Sequence, residues 1–318
     1  MKNILVVGDS MIDVYTSGDA TKLSPEAPVP DFCKSGVSIR KLGGAANTTT
    51  ILANLNTDAE VGLVTGMRLM EESEQESFEV IMRSCKELNK QFKFYPVHIP
   101  VTTIKERLID EASHQQVLRI SIECSSPKID NKLFETQLSK ISNPGLILIS
   151  DYDKGILNGR RIDIITGMFY DVPIIVDPKV KNFWQYGGAT VITPNHKEVA
   201  DALGIHPKYI LQEPVRYAEQ LMGMLPVSTV VITLGKIGAA VSSENVSELV
   251  RTQEKQVFDV TGSGDIFCAI LSWLWINSDR SLIEKVQIAN YVAGVGVTYL
   301  GNYIAVPEDI KKGEENLG

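Results

Sequence analysis

The chain is poor in every pattern that would tie it to a zinc ion, a disulfide framework or a charged polymer. Its 318 residues hold four cysteines, Cys33, Cys85, Cys124 and Cys268, and no two of them form a CxxC pair. The four histidines, His98, His114, His196 and His206, make no HxxxH arrangement. A structural zinc site is thereby disfavoured, and free thiols in a reducing compartment are the expectation. Positive charge is scarce as well: 31 Lys and Arg stand against 39 Asp and Glu, a net charge of -8. Nucleic acids and anionic membrane surfaces select a basic face, so neither is an expected partner. The apolar run at the N-terminus stops at Gly8 and Asp9, too soon for a signal peptide or a membrane span, and a cytoplasmic location is expected. Repeats, low-complexity tracts and linkers are missing too, which predicts one domain over residues 1–318.

What is present is a core-forming chain, 44% hydrophobic and 22% charged. ILVVG (Ile4–Gly8), LILIS (Leu146–Ser150), PIIVD (Pro173–Asp177), ATVIT (Ala189–Thr193) and TVVIT (Thr229–Thr233) are short continuous apolar runs. Runs of this kind suit a parallel sheet covered on both faces. Helix-length segments at Glu71–Lys90, Arg160–Tyr170 and Val215–Leu225 lie between them, and Gly264–Ile276 and Ser281–Tyr299 follow. Strand alternating with helix predicts an α/β fold with a mostly parallel central sheet. VTTIKERLI (Val101–Ile109) and QQVLRISIE (Gln115–Glu123) break the alternation, because two strand-like runs joined by DEASH predict a hairpin. Period two sets Thr103, Lys105 and Arg107 on one face of its first strand. Together with Ser17–Lys41 the hairpin is expected to form a small β lid, with segments at about 17–41 and 100–124.

Two glycine-rich stretches carry the chemistry. FDVTGSGDIF (Phe258–Phe267) puts Gly262 and Gly264 ahead of a long apolar helix. Backbone N–H groups at a helix N-terminus lack intrahelical partners, and glycines let an anion approach them. The spacing is not that of a Walker P-loop. An ordinary cap, with Ser263 capping and Asp265 complementing the helix dipole, explains this stretch equally well by itself. KLGGAANTTTILANL (Lys41–Leu55) again sets a Gly-Gly pair before a helix, with Asn47 in its first turns.

GGAAN followed by DVTGSGD resembles the PfkB, or ribokinase-like, sugar kinases over essentially the whole chain. The resemblance implies a ribokinase-like three-layer α/β fold with ATP and Mg2+ as cofactors. LSPEAPVP (Leu23–Pro30), SDYDKG (Ser150–Gly155), DPK (Asp177–Lys179) and TPNHKE (Thr193–Glu198) are similar to the kinases of D-glycero-D-manno-heptose 7-phosphate, in a stand-alone form because no HxGH nucleotidyltransferase signature is found. By this resemblance Asp265 is the catalytic base, and the N–H groups of Gly262, Ser263 and Gly264 form the anion hole. Asp13, Gly43, Gly44 and Asn47 hold sugar hydroxyls. Asn195 and Glu198 stand near the nucleotide phosphates, with Glu198 as the metal residue acting through water. Thr233, Gly235 and Gly238 pass under the nucleotide, and Asn290 belongs to the adenine pocket.

A substrate that already bears a phosphate needs cations, for which Lys105, Arg107, Arg119 and Lys154 are candidates, with Lys22 as a further one. A solvated charged face is the alternative for all of them. The expected activity is phosphorylation of the anomeric hydroxyl of the heptose 7-phosphate, giving the 1,7-bisphosphate for nucleotide-heptose and surface polysaccharide synthesis. A kinase of an unphosphorylated sugar or nucleoside, or a non-catalytic kinase-like binding subunit, are the alternatives. The family also implies a homodimer paired through the lid. Four departures from its pattern stand out: Ser263 in place of alanine, Lys22 in place of arginine, the ribokinase-like TLGKIGA (Thr233–Ala239), and the tail GNYIAVPEDI (Gly301–Ile310).

Overall fold

The computed structural model describes residues 1–68, 83–124, 127–252, 258–299 and 301–317. A nine-stranded sheet runs in the order β14-β13-β12-β11-β10-β9-β1-β5-β6. Its parallel strands are β1 (Ile4–Gly8), β5 (Val61–Met67), β6 (Lys93–His98), β9 (Leu146–Ser150), β10 (Ile174–Asp177), β11 (Val191–Ile192) and β12 (Thr229–Thr233). At one edge β13 (Gly238–Ser243) and β14 (Ser247–Arg251) continue antiparallel. All five apolar runs of the sequence are strands of this sheet, although ATVIT contributes only its central Val191 and Ile192.

The alternation of side chains along each strand explains why the runs are apolar throughout. Ile4 and Val6 of β1 enter one buried cluster, while Leu5 and Val7 enter another on the opposite face. The first cluster is capped by α1 (Ala45–Leu55), α7 (Ser263–Asn277), α8 (Leu282–Gly296) and α9 (Pro307–Glu315). The second is capped by α2 (Asn131–Leu138), α3 (Gly159–Met168), α4 (His196–Leu203), α5 (Pro207–Gln212) and α6 (Pro214–Met224). The result is three layers, helix on sheet on helix. Of the helix expected over Glu71–Lys90, residues 83–88 are helical and residues 69–82 lie outside the described residues.

A second sheet forms the lid from β2 (Ser10–Leu23), β3 (Pro30–Lys34), β4 (Ile39–Gly44), β7 (Thr103–Asp110) and β8 (Gln116–Ile122). The expected hairpin is β7 and β8, paired antiparallel. Its partner strand differs from expectation. The lid begins at Ser10 rather than Ser17, so β2 follows β1 with only Asp9 between them and carries Asp13. β2 then pairs parallel with β7, setting Asp13 beside Lys105 and Tyr15 beside Arg107. Lys22 sits at the exposed far end of β2, nine residues from Asp13 or about 30 Å at strand rise, and does not join the site.

Candidate active site

Four segments converge where the two sheets meet. They are the buried half of β2, the start of α1, the loop after β9, and the start of α7. Both helices begin on a glycine in the left-handed region, Gly44 with φ 60° and Gly262 with φ 74°, and neither glycine supplies a side-chain cap. Glycine adopts this conformation without the penalty that a Cβ brings. Among the described residues the N–H groups of Gly262 and Gly264 have no acceptor, whereas the Ser263 N–H turns back to the Val260 carbonyl at 3.3 Å. Two of the three expected anion-hole donors therefore remain open.

Asp265, in the first turn of α7, is 3% exposed. Its Oδ2 accepts from Asn47 Nδ2 at 2.8 Å, and its Oδ1 accepts from Tyr152 OH at 2.7 Å and Thr48 Oγ1 at 3.3 Å. Burial pushes the carboxyl above the usual aspartate range, and these three donors pull it back. Asp265 and Asn47 are 218 positions apart in sequence and in direct contact in the fold.

On the lid side, Arg107 Nη1 donates to Asp13 Oδ1 at 2.5 Å, and Asn302 Nδ2 lies 3.4 Å from Asp13 Oδ2. Asn302 also donates to the Leu42 carbonyl, while its Oδ1 is buried without a partner. Gly43 is required here, because a Cβ would run into the Asp13 carboxylate. The four expected phosphate cations divide into two pairs. Arg107 is committed to Asp13, and Lys154 is paired with Glu123 at 2.6 Å. Lys105 and Arg119 have no carboxylate partner among the described residues, and Arg119 stands directly across from Arg107 in the β7–β8 register. Like charges placed opposite each other repel, so an anion between them would be favoured.

On the other side of Asp265 lies a cavity of about 570 Å3. All six residues expected to hold the nucleotide line it: Asn195, Glu198, Thr233, Gly235, Gly238 and Asn290. Ser263 and Gly264, the two residues before Asp265, also line it. Asn195 and Glu198 also form the capping box of α4, so their helix-start role and their place in the cavity coexist. Asn290 Nδ2 is buried without a partner, a donor open to an acceptor within the cavity. Asp177 and Glu198 both face this space, with Lys179 paired to Glu198. Burial pushes Asp177 well above the usual carboxylate range. One or two carboxylates together with phosphate oxygens are a normal magnesium donor set, which these two residues fit. Among the described residues no group of three or more His, Cys, Asp or Glu side chains is arranged for a metal.

Sequence reasoning assigned no role to Asp9, Thr48, Tyr152, Asp177, Lys179 or Asn302. SDYDKG and DPK mark three of them as motif members without saying what they touch. Asp9 is buried and accepts the N–H groups of Tyr152, Lys154 and Ile156, each at 3.0 Å. Burial, then the neighbouring Asp151 charge, pushes it up to about 6. It thereby fixes the loop that delivers Tyr152 to Asp265.

With this geometry in place, known proteins give a consistent match. The signature of the pfkB family carbohydrate kinases matches residues 168–309. The "Bifunctional protein HldE" of Proteus mirabilis is 30% identical over 311 residues, covering 97% of this chain and 63% of that protein. That of Campylobacter curvus is 32% identical over 315 residues, covering 95% and 63%. The chain carries a PfkB carbohydrate kinase domain. It spans less than two thirds of the length of these relatives. Among solved structures, phosphofructokinase-2 from Escherichia coli aligns with a TM-score of 0.79 at 15% identity, over 99% of both chains. Ribokinase from Thermotoga maritima aligns with a TM-score of 0.73 at 18% identity, over 99% of this chain and 100% of that one. The three-layer PfkB domain thus has a ribokinase-like fold. Among the described residues no helix is long and apolar enough to cross a membrane.

Proposed function

We propose that this PfkB domain transfers the γ-phosphate of ATP to the anomeric hydroxyl of a sugar phosphate, with D-glycero-D-manno-heptose 7-phosphate as the substrate and the 1,7-bisphosphate as the product. Such a product would feed nucleotide-heptose and surface polysaccharide synthesis. The observation that carries this reading is the place of Asp265: a buried carboxylate at an uncapped helix N-terminus, between the polar group of Asp13, Arg107 and Asn302 and a nucleotide-sized cavity. Asp265 takes the proton of the acceptor hydroxyl, and the open N–H groups of Gly262 and Gly264 receive charge on the transferred group. Phosphoryl transfer has a loose transition state, so alignment contributes more than basicity and an aspartate suffices. Mg2+, near Asp177 and Glu198, would neutralise phosphate charge. Asp13, Gly43, Gly44 and Asn47 orient the sugar, and Lys105 with Arg119 takes its phosphate.

The substrate identity rests on the motif resemblance and on those two cations, which have no carboxylate partner among the described residues. A kinase of an unphosphorylated sugar is the second reading, favoured by the engagement of Arg107 and Lys154 with carboxylates. Homodimerisation through the lid is supported by Leu118, Ile120 and Ile122 of β8, exposed by 53%, 40% and 51%. They lie on the same lid face as Ile12 and Ile104, whose inner part is packed on the core.

ATP consumption with Mg2+ against heptose 7-phosphate, fructose 6-phosphate, ribose and adenosine tests the assignment. Turnover of heptose 7-phosphate alone is expected, with the Lys105→Ala/Arg119→Ala double variant raising its KM roughly a hundredfold through two lost charge-assisted contacts. Turnover only of ribose or adenosine moves the chain to the second reading.

A further inference from the structure

The acceptor hydroxyl needs a vacant lone pair on Asp265, and the two carboxylate oxygens differ in availability. Oδ1 receives Tyr152 OH and a share of the Thr48 Oγ1 proton, which is placed equally near the Gly44 carbonyl at 3.3 Å, whereas Oδ2 receives only Asn47 Nδ2. A carboxylate oxygen offers about two acceptor positions, so Oδ1 is the more occupied oxygen and Oδ2 keeps one position open. Oδ2 is also the oxygen on the anion-hole side, because the Asn47 Nδ2 bound to it lies 3.1 Å from the point where Gly262 would carry a Cβ.

Tyr152 is held in place from several sides. Its N–H is bound by Asp9 Oδ2, and Lys105 and Lys179 stand over its ring at 5.7 and 5.2 Å. One lysine belongs to the lid and the other to the nucleotide cavity. Burial, then the Asp265 charge, keeps the phenol protonated well above the ordinary tyrosine range, so it acts as a donor.

We propose that Tyr152 is a positioning residue for the base: by occupying Oδ1 of Asp265 it leaves Oδ2 as the atom that receives the acceptor hydroxyl. This rests on the kinase reading above. The acceptor O–H bond breaks and its proton passes to Oδ2. The new O–P bond forms at the γ-phosphorus while the bond to the β-phosphate oxygen breaks, and ADP departs with that electron pair. The groups facing Asp265 are Asn47 and Thr48 of α1, Asp13 of β2, Asp177 of β10, Tyr152, and Cys268 on α7 itself. Tyr152→Phe alters only one of them.

The test uses the full chain labelled with 13Cγ-aspartate, with the Asp265 signal assigned by its absence in Asp265→Asn. Loss of the phenol donor should raise the Asp265 titration midpoint by about one pH unit. With a sugar that the wild type turns over, kcat of Tyr152→Phe should fall about tenfold to a hundredfold while the Kd for ATP stays unchanged. Thr48→Val, which strips the longer Oδ1 contact, should move the midpoint in the same direction by less, and it serves if Tyr152→Phe fails to fold. A wild type that turns over no sugar overturns the kinase reading and this proposal with it. An active wild type whose kcat and midpoint both survive Tyr152→Phe, or a Thr48→Val midpoint that stays put or falls, overturns the proposal alone.

Discussion

Among the described residues two helices begin in full side-chain capping boxes and two begin on bare glycines, and the difference separates scaffold from site. Asn195 and Glu198 close the start of α4, and Ser281 and Glu284 close the start of α8, so that side-chain oxygens take the exposed N–H groups. Gly44 and Gly262 offer no such oxygen to α1 and α7. Their uncapped ends lie side by side, because the two helices also meet at their far ends through Trp273 and the Leu55 carbonyl, and their first turns carry Asn47 and Asp265, which touch. A helix start that satisfies itself contributes stability. One left open costs stability and can address a ligand.

The comparison can be broken at its strongest point first. Asp265→Asn should lower kcat by about three orders of magnitude on the preferred sugar with ATP binding kept, the middle of the general-base range. Turnover within tenfold of wild type, measured by ADP release, would remove Asp265 from its role. Gly262→Ala comes next. The new methyl would sit at φ 74°, 2.8 Å from Asn302 Oδ1, so a loss of about 1–3 kcal/mol in stability and a fall in kcat are both expected. Thermal melts and steady-state rates on the same preparation read the two effects.

A pH profile sharpens the picture further. Asp265 titrates above the usual aspartate range because burial outweighs its donors. The acid limb of kcat/KM should therefore lie above the ordinary value of about 3.9, with the rate falling as pH drops through it and the base takes up its proton. A limb at or below that value would contradict the burial argument. The smallest effect is expected at the capped end, where Ser281→Ala should cost about 1 kcal/mol by chemical denaturation and leave kcat as it was.

How much of this was legible in the sequence follows from the range of each interaction. The central strands are written locally, because a strand buried on both faces must be apolar at every position, as ILVVG and LILIS are. The lid hairpin was equally local. The parallel pairing of β2 with β7 was not, since it joins segments about ninety positions apart and depends on β2 leaving the core sheet directly after Asp9. That one pairing places Arg107 next to Asp13, and it turns an expected phosphate ligand into the partner of a carboxylate proposed to bind the sugar. Asp265 and Asn47 could be named from their motifs, but their contact could not be derived from either one. Tyr152 stayed hidden because an exposed loop tyrosine and one aimed at a buried carboxylate have the same letter.

The strand β2 has a mechanical consequence. Its first residues, Ser10–Val14, are clamped within the buried interior, and its last, Ala20–Leu23, project into solvent. It is a cantilever, with Asp13 near the fixed root and the lid at the free tip. Load applied at the tip, by a second subunit or by a substrate phosphate, is felt at the root as torque rather than travel. The Asp13 carboxylate, proposed to hold the sugar, can thus turn in register with the lid while hardly leaving its place.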